Sequence, residues 1–407
     1  MEVVVNQRAL SVDNRLIYTE GLYSNVLKRE GLSWLQDGEN ADYLSHVFVR
    51  VSQKELDAFK KVADELTDLG IIVAQKIAAN EWWEAAGIPE NAIRLVKHSL
   101  KYELEMHLLN RFDFAGGIDG LPIKLIEFNA DTCSLMPETT IVQEEHWIQE
   151  QYKLSDRPYN ELVQSLTDHF EKIIRLNPKK DKTLLVSTLE FEEDLINVAV
   201  IIKAAKKAGF EEVQLMPLDK IIFAPDEGIF IELNPENYRR YDFFYKFIPW
   251  EFIAYEEPEL MDILTEIVVN DLAIVLNPAF TMLLQSKAIC KFMYDHEPNN
   301  PHLLKTSFDA SDFPDNKYVS KPIYGRMGEN IAYFDGDTKP EYETEGDYGD
   351  FDNVYQELAA FNEDRKEHRY QPSIFYTNEP CGLAIRRQDD LIIDDDAEFV
   401  GHTIARQ

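Results

Sequence analysis

The sequence predicts a mixed α/β protein, and three observations carry that expectation. In RFDFAGGIDGLPIKLIEFNADTCSLMPE, residues 111–138, two apolar-alternating runs, Arg111 to Ala115 and Ile123 to Phe128, flank Gly116, Gly117, Asp119, Gly120 and Pro122. That is turn chemistry between two strands of a hairpin. Further on, Lys182 to Ser187 (KTLLVS) reads as a buried strand, followed by a helix from Glu192 to about Ala208 and a second strand at Val213 to Met216. Strand, helix, strand in that order is the pattern of a parallel layer covered by helices. Finally, 407 residues are long for one core, so two or three closely packed lobes are expected.

Taken in order, the amino-terminal MEVVVNQRALSVDNR lacks a basic region followed by an apolar core and a small-residue cleavage site. No uncharged apolar run reaches membrane-spanning length, so a cytoplasmic protein with no membrane partner is expected. Ser52 to Ile77 carries a helical rhythm through Leu56, Phe59, Val62, Ala63 and Leu66, and Pro158 to Leu176 reads as another scaffold helix. A helix is expected to start near Pro137, because proline suits a first helical turn. Three cysteines, Cys133, Cys290 and Cys381, show no metal-ligand spacing and suggest neither a disulfide framework nor a zinc site. Cys133 reads either as a reactive thiol in the site or as a small buried residue. The net charge of −33 excludes a generic nucleic-acid binder and favours cationic partners, although acidity also serves solubility.

The hairpin concentrates chemistry. Asp113 lies on its first strand, while Glu127 and Asn129, two apart on the second, share a face. Two carboxylates and an amide oxygen on one face make a hard oxygen site suited to Mg²⁺ carried in by a nucleotide, and Arg111 adds an anion clamp. Thr132 and Ser134 offer hydroxyls that either bind a ligand or cap the following helix. Glu192 and Glu193 open a helix after a strand, where crevices form and where acidic side chains also favour the helix dipole. Lys287 opens a helix after Asn277-Pro278, and Lys321 ends a short strand before a loop bearing Gly325 and Gly328. Lysines suit phosphate, and glycines let backbone N–H groups approach an anion. Between Asp335 and Asp352 stand eight acidic residues, three glycines and a proline against one lysine, which reads as a mobile, solvated excursion.

The run from Arg111 to Glu138 resembles the glutathionylspermidine synthetase family, ATP-grasp ligases that join a glutathione carboxylate to a polyamine amine. Ser286-Lys287-Ala288-Ile289, His302-Leu303-Leu304, Tyr318 to Ile331 (YVSKPIYGRMGENI), Tyr355-Gln356-Glu357 and Gly382 to Arg386 (GLAIR) follow in the family's order, over roughly residues 15 to 405. The resemblance implies an ATP-grasp fold preceded by an α/β lobe: residues 1–275 as the substrate lobe with the metal hairpin 111–134, and residues 276–407 as the nucleotide lobe with a glycine-rich lid at 321–331. It implies ATP contacts from Lys287, Lys321, Gly325, Arg326, Gly328, Asn330, Gln356 and Glu357. Asp113, Glu127 and Asn129 would be metal ligands, and Arg111 and Arg386 would steady the reacting phosphate. Thr132, Ser134, Glu192, Glu193 and Arg386 would contact the peptide and polyamine.

Tyr245 to Glu251 (YKFIPWE) matches a substrate-wall segment loosely, with Phe247 where some members carry a hydroxyl. Where a late lysine stands in some members, this chain has Asp394, Asp395 and Asp396. With the synthetase-like region beginning almost at once, a ligase without the amidase domain of the family's bifunctional members, and without the reverse hydrolytic activity, is expected. The expectation is therefore an ATP- and Mg²⁺-dependent carboxylate–amine ligase acting through an acyl phosphate on a glutathione-like carboxylate and a polyamine-like amine, as a monomer or homodimer. The alternative is a catalytically silent protein that binds nucleotide or polyamine.

Overall fold

The computed structural model describes residues 11–36, 42–154, 156–189 and 191–405. The first ten residues, on which much of the amino-terminal reading rests, lie outside it.

Along the chain come β1 (Leu16–Tyr18), α1 (Ser24–Glu30), β2 (Leu44–Ser52) and α2 (Gln53–Asn80). Ser52 starts α2 through a reciprocal cap: its hydroxyl accepts from Glu55 N, and the Glu55 carboxylate accepts from Ser52 N. The predicted stripe Leu56, Phe59, Val62, Ala63 and Leu66 is buried. After α3 (Ile93–Tyr102) the expected hairpin forms from β3 (Asn110–Ala115) and β4 (Lys124–Asn129). Its turn lies directly on α2. Gly117 has φ +90°, and a Cβ there would stand 2.1 Å from the Phe59 ring, so only glycine fits. The next helix begins at Met136 and passes through a π-helical turn, Glu138–Val142, into α4 (Gln143–Glu150).

The helix expected from Pro158 begins later, as α5 (Leu162–Leu176). Asn160 pairs with Gly382 and Glu161 N donates to Cys381 O, which keeps this stretch extended. β5 (Thr183–Thr188), α6 (Glu192–Ala208) and β6 (Glu212–Leu215) follow where predicted, with Gly209 ending α6 at φ +96°. Then come β7 (Ile221–Ala224), β8 (Gly228–Asn234), β9 (Asn237–Tyr241), β10 (Phe243–Phe247), α7 (Trp250–Glu256), α8 (Pro258–Val269), β11 (Ile274–Leu276), α9 (Thr281–Gln285) and α10 (Ala288–His296). The remainder is β-rich: β12 (Thr306–Ser307), β13 (Lys317–Pro322), β14 (Ala332–Asp335), β15 (Tyr342–Glu343), β16 (Asn353–Glu357), β17 (Asn362–Glu363), β18 (Arg369–Tyr376), β19 (Pro380–Gln388) and β20 (Glu398–Ala405).

Three sheets frame the site. The expected parallel layer is the four-stranded sheet β11-β10-β5-β6. An antiparallel sheet runs β12-β16-β13-β14-β15. The largest, β1-β2-β20-β19-β18-β3-β4 with β17 on β18, takes strands from both sides of residue 275. The hairpin and Arg386 therefore share one sheet, although a boundary at 275 assigns them to different lobes. A fully buried ion pair ties the end of the hairpin to the parallel sheet. Lys246 Nζ donates to both Asp131 carboxylate oxygens at 2.8 and 2.9 Å, and Trp250 N adds a third bond at 3.0 Å.

One expectation is corrected. The acidic excursion is not a solvated free loop: β15 pairs with β14, Thr344 Oγ1 donates to Gly328 O at 2.6 Å, and Tyr348 N donates to Asn330 Oδ1 at 2.7 Å. Its carboxylates face outward while its backbone and Thr344 brace the glycine loop, a pairing that composition alone does not reveal. Among the described residues no helix is long and apolar enough to cross a membrane.

Candidate active site

A cavity of about 910 Å³ opens between the hairpin, β13, β16, β18, β19 and the first turns of α6 and α7. Its floor is built from the hairpin. Asp113 faces Glu127, and Arg111 faces Asn129, as register partners across β3 and β4. Arg111 grips Asp113 with two bonds of 2.8 and 2.9 Å, and Asn129 Nδ2 donates to Asp113 Oδ2 at 2.9 Å. Burial alone would raise the Asp113 carboxyl, but the Arg111 guanidinium outweighs it and holds the group below the usual range.

Lys287 Nζ donates to Glu127 Oε1 at 2.8 Å and also to Gly325 O, so it joins the floor to the root of the glycine loop. Lys321 ends β13 but points inward, not into that loop. Its Nζ donates to Gln356 Oε1 at 2.8 Å, and burial pulls its ammonium down to about 8 against the opposing pull of Glu127. Gln356 and Glu357 sit on β16, with Gln356 buried. Arg386 lies within β19 and donates to Asp394 O at 3.3 Å; its Nε is buried without a partner. Four cations, Arg111, Lys287, Lys321 and Arg386, thus surround two carboxylates, Asp113 and Glu127. The local sign is reversed within a protein of net charge −33, as a polyphosphate requires.

Among the described residues no three His, Cys, Asp or Glu side chains form a metal-holding group. A cation here would rest on Asp113, Glu127 and the amide oxygen of Asn129, a hard and sparse set. It fits Mg²⁺, which keeps several waters and takes oxygens from phosphate.

Beside the floor, within reach of Arg111 and Arg386, the wall is acidic. Glu193 and Asp194 at the start of α6 and Asp395 before β20 line the cavity, with Glu138 behind them. Glu138 Oε1 accepts from Tyr43 OH at 2.9 Å, and Asp194 Oδ2 accepts from Thr188 Oγ1 at 3.0 Å. Burial, followed by the charges of Glu138, Asp194 and Asp395, pushes the Glu193 carboxyl up to about 7. Burial lifts Asp395 to about 6 although Arg386 pulls against it. Glu192 points to solvent and is not in the wall.

Thr132, Ser134 and Phe247 also line the cavity. Arg326, predicted with the nucleotide group, is bonded elsewhere here: its Nη1 donates to Thr132 Oγ1 at 2.9 Å and its Nη2 to Glu251 Oε1. Gly328 lines the cavity at φ +76°, whereas Gly325 and Asn330 stand behind it, Asn330 in the brace to Tyr348. Cys133 is buried, and burial pushes its thiol up to about 12, so it is a packing residue in this structure. Sequence reading missed Glu251, Asp395, Gln371 and Tyr348 as site residues. The first closes the segment 245–251 and the second sits in the acidic triplet, so each was in view without a role; Gln371 and Tyr348 carry no local signal.

Comparison with known proteins identifies the family and the fold. Residues 17–405 match the model of the glutathionylspermidine synthase pre-ATP-grasp family. A Haemophilus influenzae protein described as an acid–amine ligase is 26% identical over 380 residues, covering 90% of this chain and 92% of that protein. Trypanothione synthetase of Crithidia fasciculata is 23% identical over 343 residues, 80% of this chain and 51% of its own length. The chain therefore spans about half of that relative. Among solved structures, a glutathione synthetase-like effector from Globodera pallida matches with a TM-score of 0.56 at 11% identity, over 89% of this chain and 90% of that one. At such identity the fold is what is shared.

Proposed function

The chain belongs to the glutathionylspermidine synthase family of ATP-grasp ligases, and from that premise we propose that it condenses a carboxylate with an amine, using ATP and passing through an acyl phosphate. The observation that carries this reading is the division of one cavity into a cationic floor and a carboxylate wall.

The triphosphate lies on Lys287 and Lys321, with the base towards Gln356 and Glu357. Mg²⁺, when bound by Asp113, Glu127 and Asn129, supplies charge neutralisation at the phosphates. The acyl donor is a glutathione-like peptide or amino acid that enters past Thr132 and Ser134. One of its carboxylate oxygens attacks the γ-phosphorus, a P–O bond to that oxygen forms, and the bond to the β–γ bridging oxygen breaks to release ADP. Arg111 and Arg386 stabilise the charge spreading over the transferred phosphoryl oxygens. The amine, polyamine-like in view of the acidic wall and the overall charge, arrives as an ammonium ion. Glu193 takes its proton, the freed nitrogen attacks the acyl carbon, a C–N bond forms, the C–O bond to phosphate breaks, and the nitrogen's surplus proton leaves with the phosphate as hydrogen phosphate.

The acidic triplet motivated a silent binder as the alternative. Asp394 Oδ1 accepts from Gln388 Nε2 at 2.7 Å and from Asp396 N at 3.0 Å, so it is engaged locally and leaves the cations of the floor in place. The test is ADP release from purified protein with Mg²⁺-ATP over a matrix of carboxylates and amines, with the donor carboxylate labelled with ¹⁸O. Label passing into phosphate supports the acyl phosphate. Turnover without label in phosphate removes that route, and ATP binding without turnover on any pair returns the silent binder.

A further inference from the structure

Lys287 is tied at once to the floor of the cavity and to the root of the glycine loop. It is buried, and its Nζ donates to Glu127 Oε1 at 2.8 Å and to Gly325 O. Its backbone N donates to Ile323 O at 2.8 Å, so main chain and side chain both bind the segment that leads into the loop. Lys321 lies close by, but its Nζ is engaged with Gln356 Oε1 at 2.8 Å and Ile126 O at 3.4 Å. Lys287 is therefore the cation bonded to Glu127.

The oxygens that would hold a metal ion are already in use. Asp113 Oδ1 accepts from Arg111 Nε at 2.8 Å, Asp113 Oδ2 accepts from Arg111 Nη2 and Asn129 Nδ2 at 2.9 Å each, and Glu127 Oε1 accepts from Lys287. Charge-assisted bonds of this kind are the strong ones, and an ion competing for those oxygens must displace them. Counted as charges, Arg111, Lys287 and Lys321 outnumber Asp113 and Glu127, so the floor is net positive before any ligand arrives. Such a floor repels a bare divalent cation and attracts a polyphosphate.

We infer that Lys287 stands in for the metal ion on Glu127 in the nucleotide-free protein, and that it gives up this carboxylate only when a triphosphate offers it oxygens in exchange. This rests on the metal ligands of the ligase reading above and adds a rule of order: the divalent ion is admitted with the nucleotide and not before it. Turning Lys287 away from Glu127 also loosens its bond to Gly325 O, so the root of the glycine loop is freed as the phosphates are seated. A chain of net charge −33 gathers divalent ions at its surface. The stand-in keeps them out of an empty site.

The test is the paramagnetic resonance signal of free Mn²⁺, a hard divalent probe for an oxygen site, titrated with the full chain with and without ATP. Every count is set against the same solution holding Glu127→Gln, which reports ions on surface carboxylates and on ATP itself. Without ATP the unaltered protein holds no more Mn²⁺ than Glu127→Gln, and with ATP it holds more. Lys287→Met binds Mn²⁺ without ATP roughly 10–100-fold more tightly than the unaltered protein, a screened share of the repulsion between one unit charge and a divalent ion. That gain disappears in Lys287→Met/Glu127→Gln and is absent from Lys287→Arg, which keeps the charge. Binding by the unaltered protein without ATP that matches Lys287→Met overturns the inference, as does a Lys287→Met that gains nothing. Should Lys287→Met not fold, the unaltered protein against Glu127→Gln decides, because any excess without ATP overturns it. Mn²⁺ entry that needs ATP, in a protein that releases ADP with no carboxylate and amine, sinks the ligase reading and leaves this one standing. ADP release with Mn²⁺ held equally with and without ATP does the reverse.

Discussion

Glu193→Gln is expected to make the protein more stable above neutral pH while removing its ability to deprotonate an amine. In the folded protein the Glu193 carboxyl is raised from an ordinary 4.5 to about 7, first by burial and then by Glu138, Asp194 and Asp395. A raised value means the folded state holds the proton more tightly than the unfolded chain. The contribution to stability is complete below 4.5 and is lost as the pH rises through about 7. Fully ionised, a carboxyl lifted that far costs about 3 kcal/mol, an upper figure because the neighbouring carboxyls share the proton. Glutamine mimics the protonated form at every pH. Thermal melts of the two proteins should therefore coincide near pH 4.5 and separate by up to about 4 °C at pH 8.5, with the variant higher. The same variant should lose amide formation by roughly 10²–10⁴-fold, the usual contribution of a positioned base, and keep its nucleotide affinity. A melting difference that does not change with pH would show that Glu193 is an ordinary solvated carboxylate. Unchanged turnover would remove it from the reaction.

Three further outcomes follow from the geometry. Asp113→Ala strands the buried Arg111 charge, so urea unfolding should show a loss of about 3–5 kcal/mol, and titration calorimetry should find Mg²⁺-dependent ATP binding abolished. Gly328→Ala places a Cβ 2.6 Å from Asp394 Cβ at φ +76°; limited proteolysis should cut residues 325–331 faster, and the KM for ATP should rise. All three cysteines are buried, and burial pushes Cys133 up to about 12 and Cys290 up to about 11, so a disulfide reagent at pH 8 should label none in the native protein and three after denaturation.

Much of this fold is legible locally. The hairpin turn, the capping box at Ser52 and the boundaries of α6 are set by short-range rules, because glycine conformation, side-chain caps and apolar period act within a few residues. What is not legible depends on distant partners. The late start of α5 is dictated by Gly382, and the bracing of the acidic excursion by Gly328 and Asn330. The site divides in the same way. Asp113, Glu127 and Asn129 announce themselves because a two-residue period fixes their face. The surroundings of Arg326 and Asp395 depend on how three sheets meet, so a motif locates the residue without its neighbour. Glu251 shows this most clearly: nothing near it in sequence names the guanidinium it meets 75 residues later.

The largest sheet sets an order of events during synthesis on the ribosome. β2 pairs in parallel with β20, whose partner stretch is Phe399–Ala405, and β3 pairs with β18. The hairpin with the candidate metal ligands emerges early, yet one edge of its first strand lacks its β18 partner until more than 240 further residues have been translated. Such an edge invites wrong pairing with other nascent chains. The candidate site is completed only when β18 and β19, which carry Gln371 and Arg386, have been translated.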